Sequence, residues 1–215
     1  MTKKSTFQIV YSIIAALLAG VVMAGCSGPR VYIHPNPGLD SIKRMAVLPF
    51  GNFSKDDKAG NKVRANFVIE LLRTASFDVV DIGETDRLLQ IAELSYTTSG
   101  IAIPGIGAAQ TAEGQAPDSE PLSKKIGQAL KVEAIFVGSV EAYSTERVSD
   151  RIIPEVSISA RLIDAETGII IWASTHSRRG GAGFPILGWG KVTSLSVLSQ
   201  QVIQDMVSSL AKYAR

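Results

Sequence analysis

The hydrophobic and polar positions after residue 42 change period along the chain in the way typical of an alternating α/β protein. Five segments have a short apolar run or a regular alternation, both typical of strands: Met45–Phe50, Phe77–Ile82, Ala134–Tyr143, Val156–Asp164 and Ile169–Thr175. The turn sequence Asp164–Gly168 joins the last two and predicts an antiparallel hairpin. The link between the third and fourth strands, Ser144–Glu155, is charged and contains a proline.

Helical spacing separates these strands. Four segments carry apolar side chains every three or four residues: residues 62–75, 85–94, 121–130 and a last one whose core stripe is Leu195, Val202, Met206 and Leu210. The predicted fold is therefore an α/β, three-layer domain with the element order βαβααβββα. Because parallel crossovers are right-handed, the first helix should cover one face of the sheet and the second and third the other. We expect a mixed sheet with strand order 2-1-3-4-5.

The N-terminal residues have the layout of a bacterial secretory signal. Lys3 and Lys4 precede an almost wholly apolar run, Phe7–Ala24, and Gly25 and Cys26 follow it. The junction resembles a lipobox, which implies a covalent diacylglyceryl and acyl (palmitate-type) lipid on Cys26 and removal of residues 1–25. The alternative is an uncleaved membrane helix, since the run is close to the ~18 residues that can span a bilayer. Ser27, where an Asp would resemble an inner-membrane retention signal, implies the periplasmic face of the outer membrane.

Between the lipidated cysteine and the first predicted strand lies a proline-containing stretch. Residues 26–42 contain Pro29, Pro35 and Pro37, and proline interrupts regular hydrogen-bonded structure. This predicts an extended tether, followed by an α/β domain over residues 43–215. A Gly- and Ala-rich insertion, residues 97–120, interrupts that domain.

Charge and composition exclude several classes of function. The chain has 22 Lys and Arg against 20 Asp and Glu, and removal of residues 1–25 takes away two lysines and no acid. The balanced charge that remains argues against nucleic-acid binding. One cysteine and two histidines leave no disulfide scaffold and little for a metal centre. We therefore expect no metal and no cofactor other than the lipid on Cys26.

Catalytic motifs are weak or incomplete. The glycine-rich Gly188–Thr193 lacks the Ser or Thr directly after Lys191 that a phosphate loop needs. Neither His34 nor His176 has an acid partner evident in the sequence, and no serine lies in a nucleophile elbow. The carboxylate pairs Asp56–Asp57 and Asp118/Glu120 are explained by turns and helix caps. We expect a protein that is not an enzyme.

Two loops remain as candidate interaction surfaces. Residues 97–117 and 179–190 combine glycine with apolar side chains, a composition that often marks a contact with protein or membrane. Arg178 and Arg179 could hold an anion near a helix N-terminus, or could simply be solvated. The alternative for both loops is that they fold back over the core. The candidate residues are Ile101, Ile103, Ile106, Arg178, Arg179, Phe184, Leu187 and Trp189.

Several short motifs resemble one lipoprotein family. Ala46–Phe50 with Asn52 and Ser54, Thr85–Leu89, Ala134–Val140, and Ala160–Gly168 closed by Trp172 resemble segments of the curli assembly/transport lipoprotein family, whose periplasmic domain is CsgG-like. Similar segments occur in LpoB-type activators of penicillin-binding proteins. The same motifs have a structural explanation, in which Pro49 ends a strand, Gly168 takes a turn conformation and Trp172 fills the core.

Two functional hypotheses follow. The resemblance implies an outer-membrane-anchored, periplasmic lipoprotein, non-enzymatic, that supports export or assembly of envelope and cell-surface components. The alternative is an LpoB-like periplasmic module that regulates a peptidoglycan enzyme. Both imply contact with the membrane through the lipid and with protein partners in the envelope, among which copies of the chain itself are one option.

Overall fold

A computed structural model describes residues 28–91, 122–149, 151–181 and 192–214. In this part of the chain the strands are β1 (Arg30–Ile33), β2 (Arg44–Val47), β3 (Gly51–Asn52), β4 (Asp78–Val79), β5 (Ala134–Val148), β6 (Arg151–Asp164) and β7 (Ile170–Arg179). The helices are α1 (Ala59–Thr74), α2 (Ile82–Ile91), α3 (Leu122–Leu130) and α4 (Leu195–Ala211), and a 3-10 turn occupies Leu39–Ser41.

The strands form one mixed sheet in the order β1-β7-β6-β5-β2-β4, with β3 paired to β5 beyond the end of β2. β2 pairs in parallel with β4 and β5, whereas the β5–β6 and β6–β7 pairs are antiparallel. Read from β4, this is the predicted order 2-1-3-4-5 with one further strand, β1, at the edge. The α/β class and the strand order predicted from the sequence are therefore confirmed.

The helices bury a core on each face of the sheet, as the right-handed crossovers require. α1 and α4 enclose the larger core, in which the rings of Phe50, Phe67, Phe136 and Trp172 are in contact. α2 and α3 cover the other face through Leu89, Ile126 and Leu130. Val202, Met206 and Leu210 of the predicted α4 stripe are fully buried, and Leu195 is partly buried against the same core.

The predicted structural roles of three motif residues can be compared with the fold. β2 stops at Val47, and the chain resumes pairing only at Gly51, after Pro49, which has no N–H to donate. Gly168 adopts a positive φ of 73° in the turn between β6 and β7. Trp172 is fully buried. All three act as the sequence analysis predicted.

The first strand lies in a segment that the sequence analysis assigned to an extended tether. Arg30–Ile33 pairs antiparallel with β7, in the register Arg30↔Thr175 to Ile33↔Trp172, and the His34 N–H donates to the Ile171 carbonyl at 2.9 Å. Leu39 and Ile42 are buried in the larger core. The sheet therefore begins at Arg30, thirteen residues before the predicted boundary at residue 43, because β7 offers this segment a free edge to pair with.

Two other boundaries differ from the predictions. The expected second strand, Phe77–Ile82, pairs only at Asp78–Val79, since Ile82 already begins α2. The charged link Ser144–Glu155 is part of the sheet: β5 and β6 stay paired until Val148↔Arg151. Backbone pairing does not require apolar side chains, so the charge of this segment did not end the strands.

Candidate interaction surface

The extended β5–β6 hairpin dominates one end of the sheet. β7 ends at Arg179, which pairs with Glu155, while β5 and β6 continue as a two-stranded ribbon through Thr145↔Pro154 to Val148↔Arg151. We use "ribbon" below for Ser144–Glu155. The last residues of β5 and β7 and the first residue of β1 all lie toward this end of the sheet, which we call the ribbon end.

The last two residue pairs of the ribbon combine basic and apolar side chains. Val148 faces Arg151, and Arg147 faces Ile152. Because neighbouring pairs point to opposite faces of a strand pair, each face of the tip carries one aliphatic side chain and one arginine. Val148 and Ile152 are each 45% exposed, and both arginines are exposed. A surface of this kind suits a partner that offers both anions and apolar groups.

The base of the second predicted loop lies beside the ribbon. The Gly180 N–H donates to the Pro154 carbonyl at 2.7 Å, and the Gly181 N–H donates to the Val192 carbonyl at 3.0 Å. Gly180 is required here, since a Cβ would lie 2.4 Å from the Val192 carbonyl oxygen. Residues 182–191, with the candidate residues Phe184, Leu187 and Trp189, lie outside the described residues. The loop therefore leaves and rejoins the fold at the ribbon end.

Arg178 and Arg179 are strand residues of β7 whose side chains point to opposite faces of the sheet. Arg178 faces α4, where Nη1 donates to the Gln201 amide oxygen at 3.3 Å and Nη2 lies 3.5 Å from the Asp205 carboxylate. Arg179 forms an ion pair with Glu146 of the ribbon. The sequence leaves two alternatives for this pair, an anion site near a helix N-terminus or solvated loop arginines. Both residues instead lie in β7, where alternation separates the two guanidinium groups and each has a carboxylate partner.

His176 has the acid partner that the sequence did not reveal. Its Nε2 lies 3.1 Å from Asp205 Oδ2, and the side chain is 3% exposed between β7 and α4. The Asp205 carboxylate is thus the partner of both His176 and Arg178. Residues 29 positions apart in the sequence carry no spacing signal for such a pair, so only the fold shows it.

The remaining predicted residues divide into two groups. Asp56 acts in the turn before α1, where Oδ1 accepts from the Lys58 N–H at 2.9 Å and Oδ2 from Lys62 Nζ at 2.7 Å, as expected of a turn carboxylate. His34 makes a local contact, with Nδ1 accepting from the Asn36 N–H at 3.2 Å. The others lie outside the described residues: Cys26, Ile101, Ile103, Ile106, Asp118, Glu120 and Lys191.

Two features of the described residues bear on metal binding and membrane insertion. Within residues 28–91, 122–149, 151–181 and 192–214, His, Cys, Asp and Glu side chains nowhere gather in a group of three that could hold a metal ion. Among the helices of those same ranges, none combines the length and the apolar character needed to cross a bilayer. The apolar segment Phe7–Ala24 lies outside them.

Comparison with solved structures identifies the fold. The chain is similar to the PelC dodecamer subunit from Paraburkholderia phytofirmans, with 16% identity, a TM-score of 0.52 and coverage of 85% of this chain and 96% of that chain. It is also similar to lipoprotein GNA1162 from Neisseria meningitidis, with 18% identity, a TM-score of 0.53 and coverage of 79% and 99%. At such identities the likeness shows a shared fold.

A weaker likeness links the chain to the LpoB C-terminal domain from Salmonella enterica, with 13% identity, a TM-score of 0.41 and coverage of 65% of this chain and 86% of that chain. Neither the family models nor the curated proteins gave a match. The structural neighbours include the lipoprotein GNA1162 and an LpoB domain, while the resemblance to the curli transport family stays a prediction.

Proposed function

We propose that this chain is a lipid-anchored, non-enzymatic module of the bacterial envelope that works by binding other protein chains. The observation that carries the proposal is the fold: it matches the lipoprotein GNA1162 over 99% of that chain. The Gly25–Cys26 junction after an apolar signal supports the same lipid attachment in this protein. The cell location that fits these features is the periplasmic face of the outer membrane.

The short distance between the lipid and the sheet restricts the partner. Cys26 is followed by three residues before β1 begins at Arg30. Four residue steps span at most about 14 Å when fully extended. The domain is therefore held against the membrane, and its partner must reach the same surface. An LpoB-like regulator with so short a tether would act on an envelope enzyme whose contacting domain lies close to the membrane.

A ring or other self-assembly that supports export is the second candidate. The specific observation that favours it is the dodecameric state of the PelC neighbour, which matches this chain over 96% of its own length. A closed ring requires two different, complementary surfaces on each subunit. The ribbon and the two opposite sheet edges, formed by β1 and by β4, are separate surfaces that could serve in this way.

Two measurements test these proposals. The intact mass of membrane-extracted protein should show a diacylated N-terminal Cys26 in the wild type, and Cys26→Ser should remain an unmodified precursor. An unmodified, signal-cleaved wild type would overturn the anchor. Light scattering of the extracted protein beside soluble 27–215 decides between the two candidates. A discrete multi-subunit mass in the extracted sample supports the ring, and a monomer in both supports a tethered binding module.

A further inference from the structure

The sheet register fixes the height of the ribbon relative to the point where the chain enters the domain. Arg30 pairs with Thr175, Thr175 pairs with Ser159, and Ser159 pairs with Ser139, so all four lie at one level of the sheet. From Ser139, β5 continues to Val148, with one irregularity between Val140 and Ala142. At about 3.3 Å per residue, the ribbon tip rises about 25 Å above the level of Arg30.

The chain before Arg30 approaches from the same end. β1 is antiparallel to β7, so the residues that precede Arg30 lead toward the end at which β7 stops and the ribbon projects. Gly28, the first described residue, is exposed, and a Cβ added there would meet nothing within 4 Å. A lipid on Cys26 would therefore lie at the ribbon end, no more than about 14 Å of extended chain from Arg30.

The tether is then shorter than the ribbon. With the strands along the membrane normal, the tip would pass the level of Cys26 by about 10 Å. To keep the tip clear of the lipid, the strands would have to tilt by about 55° from the normal, even with the tether fully extended. Shorter, less extended tether conformations would require a larger tilt.

The tip has the chemistry of a group that enters a headgroup layer. We refer to Arg147, Val148, Arg151 and Ile152 as the tip. Residues 147–152 carry two arginines and one aspartate, so the turn has a net positive charge. Arginine can bind lipid phosphates, and the aliphatic side chains, 45% exposed in the domain alone, can lie among the glycerol and upper acyl carbons.

We infer that the ribbon tip rests in the headgroup layer of an anionic lipid surface, next to the anchor, and sets the orientation of the domain on the membrane. The inference rests on the proposed lipid on Cys26. The ribbon end then faces the membrane, and the opposite end, with the β6–β7 turn, faces away from it.

A site-specific fluorescence experiment tests this placement. The lipid occupies the sulfur of Cys26, the only cysteine of the chain, so one added cysteine is the sole free thiol. Ser149→Cys places an environment-sensitive dye between the arginines of the tip, and Ile169→Cys, 47% exposed in the β6–β7 turn, is the matched control at the opposite end. The lipidated protein is reconstituted in vesicles of phosphatidylethanolamine and phosphatidylglycerol that contain headgroup-labelled nitroxide lipid.

The inference predicts that the nitroxide lipid quenches the dye at position 149 several-fold more than the dye at position 169. Aqueous iodide should instead quench the dye at 169 more than the dye at 149. Arg147→Glu with Arg151→Glu, in the Ser149→Cys background, should lose most of the lipid quenching, whereas Arg147→Lys with Arg151→Lys should retain it. Circular dichroism spectra that match the parent protein verify that these exposed substitutions leave the fold intact.

Three outcomes would overturn the inference. Equal quenching at 149 and 169 in protein that floats with the vesicles would remove the tip contact and leave the anchor in place. Protection of position 149 from iodide in lipid-free 27–215 would show that another copy of the chain covers the tip. Failure of the wild type to float would refute the anchor itself, and the tip inference with it.

Discussion

Arg64 of α1 and Asp86 of α2 are joined by a hydrogen bond of 3.0 Å from Nη1 to Oδ2, although their helices lie on opposite faces of the sheet. The same guanidinium donates to the Val47 carbonyl through Nε at 3.0 Å and Nη2 at 2.7 Å. Arg64 is 3% exposed and thus connects both helical layers to the end of a central strand.

Replacement of Arg64 should destabilise the domain strongly. Arg64→Met keeps the aliphatic packing but leaves the Val47 carbonyl without its donor and Asp86 without its cation. We expect a loss of about 2–3 kcal/mol in the free energy of unfolding, measured by urea denaturation. Arg73→Met is the matched control, since the Arg73 side chain is exposed and its ion pair with Glu70 should contribute less than about 0.5 kcal/mol. Equal unfolding midpoints for the two variants would contradict this role.

Gly138 is required by the packing of the aromatic cluster. A Cβ at this position would lie 2.5 Å from Phe50 Cε2, and that ring already contacts Phe67 and Phe136. Gly138→Ala should therefore lower the free energy of unfolding by about 1–3 kcal/mol. Gly28→Ala, in open space, should have almost no effect. Partial rescue of Gly138→Ala by Phe50→Leu would identify the ring as the cause, and additive effects would contradict it.

The N-terminal strand should be part of the stable domain. Residues 43–215 match the boundary that hydrophobic patterning predicts, but they lack β1, which covers the edge of β7, and lack Leu39 and Ile42 of the core. We expect this fragment to unfold at a lower urea concentration than 28–215 and to aggregate through the uncovered edge. Coincident unfolding curves for the two fragments would show that β1 adds no stability.

The comparison of β1 with the central strands shows what the sequence can reveal. Met45–Leu48 and Ala134–Val137 are buried on both faces, so continuous apolar runs mark these strands in the sequence, and the crossover rule then predicts their order. β1 is four residues long, exposed along Val31 and Tyr32, and stable only through pairing with β7 more than 130 residues later. The hydrophobic pattern of residues 30–33 carries no signal for a partner strand so distant in the sequence.

The ribbon was missed for a related reason. Among its described residues, all but Pro154 are exposed or half-buried, so the ribbon shows neither an apolar run nor a clear alternation. Pro154 is tolerated within β6 because its carbonyl accepts a hydrogen bond from the Gly180 N–H. The N–H that proline lacks costs no hydrogen bond to β7, which ends at Arg179. The His176–Asp205 pair was also hidden, since it joins two elements whose contact depends on the whole fold.

The Asp205 carboxylate should stabilise the packing of α4 on β7. Asp205→Ala leaves His176, 3% exposed, without its partner and removes the anion beside Arg178. We expect a loss of about 1–3 kcal/mol, or a fall in Tm of several degrees for a domain of this size. Gln201→Ala, which removes only a 3.3 Å contact with Arg178, should change Tm by much less. The two variants are compared by thermal unfolding, monitored by circular dichroism. Equal shifts would assign the effect to α4 surface changes in general.

The turn before α1 should give stability a dependence on acid pH. The hydrogen bond from Lys62, followed by that from the Lys58 backbone, holds the pKa of Asp56 below its usual value of 3.8, and Asp56 in turn raises the pKa of Lys62 above 10.5. A depressed carboxyl pKa contributes stability that is present above the unfolded value and disappears as the pH falls through the folded value. The raised lysine pKa contributes stability that is lost as the pH rises through it.

Lys62→Met removes this pair and keeps the aliphatic stem. The difference in the free energy of unfolding between wild type and Lys62→Met should be constant from about pH 5 to 9 and shrink toward zero below about pH 4. Because the pair is exposed to solvent, the difference should also fall with added salt. Lys55→Met, in the same turn but outside this pair, should show no such loss in acid. A Lys62→Met difference that persists undiminished at about pH 2 would mean that the contact of the Lys62 ammonium with the Tyr143 ring, 5.6 Å from its centroid, and not the Asp56 charge, stabilises the turn.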